Sequence, residues 1–169
     1  MAKEQLAAVI KPDETKSGPA PKELPPIDVA RLVKIKDLDG STKPWLAEDP
    51  ISGAKYVVKS TSKGIAQKHL ESEAITDSLY RAGGINVPLS GMPDSKHKRA
   101  QFLEGDTLAK WQQGKSAKEV NAMYREIQNG FVADALFANH DVAGAKFDNI
   151  FVTTEGIPVR IDNGGGLAL

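Results

Sequence analysis

The 169-residue sequence contains no cysteine, which removes disulfide bridges, thiolate nucleophiles and Cys-rich zinc sites together. Neither sign of charge is in surplus: 22 basic residues balance 22 acidic ones, so no global field draws the chain to nucleic acid or to an anionic membrane, and neither partner is expected. A long hydrophobic run is also missing. The opening MAKEQLAAVIKPDETK offers only LAAVI before charges resume, too short for the apolar core of a signal peptide or a membrane span. A cytoplasmic protein is the default expectation, and delivery by a signal-independent route, as for a secreted effector or a phage protein, leaves the same trace. Without heptads or internal repeats, the default oligomeric state is a monomer.

What is present amounts to one domain's worth of chain, ample for a core and small for an enzyme of two lobes. Residues 11–26, KPDETKSGPAPKELPP, combine proline and charge with little to bury, so residues 1–26 read as a disordered or partly polyproline tail or linker ahead of an ordered region, 27–169. Val29, Leu32, Val33, Ile35 and Leu38 suit a strand around residues 31–35. The turn formers Asp39, Gly40, Ser41 and Thr42 lead to a second strand near 45–48, and a turn at 50–53 leads to a third at 55–59, closing an antiparallel meander. Ile65, His69 or Leu70, Ala74, Leu79 and Tyr80 keep helical spacing up to a Gly83-Gly84 stop. INVPLSGM and KRAQFLEG read as two more strands, the second ending at Glu104-Gly105. From LAKW onward the pattern is helical, broken at residues 114–116, where Ser116 can cap a long helix running towards Phe137.

The last third carries the polar residues that point to chemistry. NIFVT and PVRI are short strands joined by a TTEG turn, a hairpin able to aim Asn149 and Asp162 into one cleft. Two oxygen ligands of this kind suit Mg²⁺, and turn residues that merely close a hairpin are the structural alternative. His140 beside Asp141 reads as a structural or hydrogen-bonding histidine; His69 and His97 lack metal-ligand spacing and read as surface residues.

Four features fall in a fixed order: a Gly-Ser-Thr turn between two strands, a lysine ending the third strand, a glutamate on the next helix, and an Asp, Asn, Asp set. In GSTKPWLAEDPISGAKYVVK, ESEAITDSLYRAGGINVP, FANHDVAG, DNIFV and RIDNGG the chain resembles the protein-kinase-like superfamily, closest to its atypical phosphatidylinositol-kinase-like and HipA-like branches among bacterial and phage proteins and toxins. The resemblance implies an α+β, two-lobed fold, with a small antiparallel-sheet lobe over about 27–105 and a reduced, mainly helical lobe over about 106–169. It implies ATP and Mg²⁺ as cofactors. Lys59 would contact the phosphates, and Glu73 would hold Lys59. Glu71 is the rival for that role, set aside because Glu73 precedes the AITDSLYR run. Gly40, Ser41 and Thr42 would offer N–H groups to phosphate oxygens, and Phe102 and Leu103, within 101–105, would border the adenine. Asp141 would be the base, with Asp134 and Asp148 in reserve, and Asn149 and Asp162 the Mg²⁺ ligands.

Three departures qualify the resemblance. The turn has one glycine, eight positions rather than five separate Asp141 from Asn149, and the sequence ends seven residues after Asp162. The last suggests a truncated or minimal kinase fold, or a fragment of a longer protein. The activity implied is Mg²⁺-ATP-dependent phosphoryl transfer to a hydroxyl of a protein or small molecule. Adenylyl transfer on the same fold, and a nucleotide-binding pseudokinase or interaction module without turnover, are the alternatives.

Overall fold

A computed structural model describes residues 23–40, 42–62, 66–142 and 148–166. Five strands, β1 (Val33–Asp37), β2 (Trp45–Glu48), β3 (Lys55–Ser60), β4 (Ser90–Asp94) and β5 (His97–Gln101), form an antiparallel sheet in the order β1-β2-β3-β5-β4. Helix α1 (Gln67–Ala82) lies between β3 and β4 in sequence. A second antiparallel sheet, β6 (Gly105–Thr107), β7 (Ile150–Thr153) and β8 (Pro158–Arg160), is accompanied by α2 (Leu108–Trp111), α3 (Ala117–Gln128) and α4 (Phe131–Leu136). The fold is thus mixed α+β, with the sheet-rich part first. Among the described residues no helix is long and apolar enough to cross a membrane.

Strand alternation decides what each face of the first sheet carries. Tyr56 and Val58 of β3 join Ala47 of β2 in a core cluster with Ile27, Val29 and Leu32. The intervening Val57 and Lys59 take the opposite face, towards a cavity. Val29 and Leu32, apolar residues that suggested a strand around 31–35, instead open and close a 3₁₀ turn, Val29–Arg31, capped by Asp28, whose Oδ1 accepts from the Ala30 N–H at 2.9 Å. The strand therefore starts at Val33 and runs to Asp37.

Residues just before 27 also contact this cluster. Leu24 packs on the same cluster, and the buried Arg99 donates to the carbonyls of Pro25 and, at 3.2 Å, Ile27 while stacking 4.8 Å from the Tyr56 ring centre. Four residues of the expected tail, 23–26, are therefore part of the described structure; the rest of it, 1–22, lies outside the described residues.

Helix α1 ends where expected, with the Gly83 N–H donating to Leu79 O at 2.9 Å. Its buried face is half polar, comprising Leu70, Glu73, Ala74, Thr76, Asp77 and Tyr80, while Leu79, expected in the stripe, is 37% exposed. Ile65 lies outside the described residues. INVPLSGM becomes strand only from Ser90, and the strand in KRAQFLEG stops at Gln101. Gly105 already belongs to β6, which pairs with β7.

The capping box at Ser116 forms as its sequence implies, with Glu119 N–H to Ser116 Oγ at 3.3 Å and Ser116 N–H to Glu119 Oε2 at 2.9 Å. The helix does not run unbroken towards Phe137. It divides at Asn129-Gly130, where a Cβ on Gly130 would collide with the Arg160 guanidinium. Leu108, Met123, Ile150 and Val152 form the core beneath the second sheet.

Candidate functional site

Lys59 lies near the end of β3 with its side chain on the cavity face, and its Nζ sits 2.8 Å from Glu73 Oε1 and 2.8 Å from Asp162 Oδ1. Glu73 is 1% exposed. Glu71 lies two residues away, on another helix face, and accepts instead from Gln67 Nε2 at 2.6 Å. Of the two candidate carboxylates, the structure brings only Glu73 to Lys59.

A second lysine, absent from the sequence reading, completes the cluster. Lys98 of β5 stands directly across the ladder from Lys59, with its Nζ 2.7 Å from Glu73 Oε1 and 2.7 Å from Asp77 Oδ2. Asp77 also accepts from Asn163 Nδ2 at 2.8 Å, and Asn163 Oδ1 accepts from Asn139 Nδ2, whose other acceptor is the Tyr80 hydroxyl at 3.0 Å. The sequence signal for Asp77 was its position one helical turn after Glu73, which puts both carboxylates on one face. Lys98, in a strand of mixed charge, carried no comparable signal.

Burial pushes the Glu73 carboxyl up, but the charges of Lys98 and Lys59 and their hydrogen bonds outweigh it and hold the group at about 2. Burial likewise lowers the Lys98 ammonium, and Glu73 and Asp77 more than restore it, leaving it above the usual lysine value. Glu73 and Lys98 therefore face each other as an ion pair at neutral pH.

Asp162 follows β8 in a left-handed conformation, φ 55° and ψ 50°, costly for a residue with a Cβ and a recurrent mark of functional sites. The backbone is held on both sides: Ile161 N–H donates to Asn149 O at 3.0 Å, and Asn163 is buried against α1. The following turn passes so close to α1 that a Cβ on Gly164 would overlap the His69 imidazole. His69 is therefore a half-buried contact of this turn, not a surface residue. His97 is half-buried too, its Nδ1 2.8 Å from Asp94 Oδ2, and His140 is exposed.

Lys59, Glu73 and Asp162, together with Lys98 and Asp77, line a 420 Å³ cavity, within the range of small-molecule sites. Leu38, Gly40, Thr42 and Pro44 of the β1–β2 loop border it, as do Val57, Ala100, Phe102, Leu103, Phe151 and Ile161. Gly40 has φ 147°. Ser41 lies outside the described residues. A larger groove of 880 Å³ runs along residues 23–29 and β4, but its buried cation, Arg99, is already committed to backbone carbonyls, so the smaller cavity holds the better site.

Asn149 and Asp141 are joined to each other, Asn149 Nδ2 donating to the Asp141 carbonyl at 2.7 Å, and neither lines the cavity. Asp141 and Asp148 are exposed. Asp134, a reserve base, is unavailable: both its oxygens are taken by Arg160, at 2.6 and 2.7 Å, in a buried fork.

The donor set suits a hard cation that keeps its own waters. Asn149, its amide nitrogen occupied, retains Oδ1 as an acceptor; Asp162, whose side chain is 42% exposed, has one oxygen beyond the one on Lys59. Among the described residues no group of three or more His, Cys, Asp or Glu is arranged to hold a metal.

Compared by sequence, the chain matches no protein-family profile and no curated protein. Compared by structure, it is similar to the kinase PK-1 of Cydia pomonella granulovirus, with a TM-score of 0.58 and 12% identity over 80% of this chain and 52% of that one. The chain thus spans about half the length of the viral kinase chain, and at this identity what the two share is a kinase-like fold.

Proposed function

We propose that the chain is an atypical kinase-type phosphotransferase domain of two lobes that binds Mg²⁺-ATP in the 420 Å³ cavity and transfers its terminal phosphoryl group to a hydroxyl of a protein or small molecule. One observation carries this reading: Lys59 Nζ contacts both Glu73 and Asp162, the latter 103 residues away, in the lining of a cavity to which Val57, Ala100, Phe151 and Ile161 add apolar walls. Phosphoryl transfer asks mainly for positioning and for neutralisation of charge on the phosphates.

In this reading Lys59 contacts phosphate oxygens and Glu73 keeps its ammonium from wandering. Val57, Ala100 and Phe151 take the flat face of the base. Leu103 borders the cavity, and among the described residues its peptide N–H and carbonyl make no backbone hydrogen bond, leaving them for the base edge. Gly40 and Thr42 lie along the phosphates. Asp162 and Asn149 would hold Mg²⁺, which supplies charge neutralisation on the phosphates, and Asp141 accepts or orients the acceptor's proton.

Binding without turnover is a second reading, favoured by one observation: Asp141 is exposed and outside the cavity lining. Incubation with γ-³²P-labelled ATP, Mg²⁺ and general acceptor proteins separates the two. Phosphoryl transfer labels an acceptor or the chain itself; Asp162→Ala abolishes the label, and Asp141→Asn lowers it by about a hundredfold or more. Label from α-³²P-ATP instead would make the reaction adenylyl transfer, and no label from either, with binding retained, would leave the module without turnover.

A further inference from the structure

Lys98 is a buried cation for which phosphoryl transfer has no evident need. It is 4% exposed and directly opposite Lys59 on one face of the sheet, where like charges repel and a buried ammonium is costly. Its compensation comes wholly from α1, through Glu73 and Asp77, four residues apart on one helix face. Asp77 extends the connection, accepting from Ser90 Oγ of β4 at 2.5 Å and from Asn163, the residue after Asp162. Lys98 thereby joins β5, α1, β4 and the Asp162 turn in one buried set of hydrogen bonds.

Glu73 uses its two oxygens unequally. Oε1 accepts from both lysines, whereas Oε2 is buried with no hydrogen-bond partner among the described residues, an arrangement that native interiors seldom leave without a reason. Lys59, for its part, divides its ammonium between Glu73 and Asp162.

Resting on the nucleotide-site reading, we propose that Lys98 is a positioning residue that holds Glu73 and α1 in place independently of Lys59. Lys59 is then free to exchange Asp162 for phosphate oxygens without releasing Glu73, whose Oε2 is the spare acceptor for the repositioned ammonium. A site built on a single Lys–Glu pair loosens its helix when the lysine is removed; this one keeps α1 seated.

Hydrogen–deuterium exchange of residues 67–82, measured without nucleotide, tests the difference. In Lys59→Met, α1 exchange should stay within about twofold of wild type. In Lys98→Met/Asp77→Asn, which removes one charge of each sign, it should quicken by about tenfold or more, the loss expected for hydrogen bonds to charged groups. The same double variant should bind Mg²⁺-ATP about tenfold more weakly than wild type. Equal loosening in Lys59→Met and the double variant, or wild-type exchange and affinity in the double variant, would overturn the proposal. If the double variant does not fold, Lys59→Met alone decides, since loosening of α1 there contradicts an independent hold by Lys98. Failure of wild type to bind Mg²⁺-ATP would remove the nucleotide reading separately, because the exchange pattern is read without any ligand.

Discussion

A carboxylate as deeply buried as Glu73 keeps its charge through the ammonium groups that share one of its oxygens. With its folded value near 2 and an ordinary value of 4.5, Glu73 stabilises the fold fully above about pH 4.5, and that contribution disappears as pH falls through 2. The shift corresponds to about 3 kcal/mol. Urea midpoints measured from pH 6 down to pH 2 should therefore show a steep loss in wild type. In Glu73→Gln the protein should be weaker at pH 6, with two lysines left under-compensated, and this part of the acid limb should flatten; an acid limb identical to wild type would contradict the assignment. Lys59 and Glu73 could be singled out from sequence because each occupies a landmark, a strand end and the residue before AITDSLYR. Lys98 could not, because its role comes from a ladder register and from a helix that packs on it from outside the strand.

Helix α1 and the α3–α4 break show where periodicity succeeds and where it misleads. Strands β2 and β3, the stop of α1 and the cap of α3 follow from local chemistry and appear at or near their expected residues. The polar half of α1's buried face does not, because Glu73 and Asp77 are buried through partners supplied by β3, β5 and the Asp162 turn. Nor does the division at Gly130, where the neighbouring Arg160 arrives from β8 and is fixed by both oxygens of Asp134. With Arg160 unable to yield, Gly130→Ala should destabilise the protein by roughly 1–3 kcal/mol, the usual cost of overpacking, despite alanine's better helix propensity. Chemical denaturation checks this; a stabilised Gly130→Ala would mean that Arg160 is free to move aside.

Taken as a molecule, the chain joins residues far apart in sequence around one cavity: the β1–β2 loop near residue 40, Lys59, Glu73, Lys98, Leu103 and Asp162. Apart from Lys98, the order of these features was readable in the sequence, and the kinase-like fold class followed from the resemblance that this order carries. The contacts that close the site, such as Asn163 with Asp77 across 86 residues, are long-range pairings of common polar residues and leave no local pattern. Thermal unfolding of wild type and Asp162→Ala, titrated with ATP in the presence and absence of Mg²⁺, tests the nucleotide site most directly. At ligand about a hundredfold above its dissociation constant, mass action stabilises by about 2.7 kcal/mol, a rise in Tm of about 5 °C or more. That rise is expected for wild type with Mg²⁺ and much reduced for Asp162→Ala, whereas a wild-type Tm that ignores Mg²⁺-ATP at millimolar concentration would contradict the site itself.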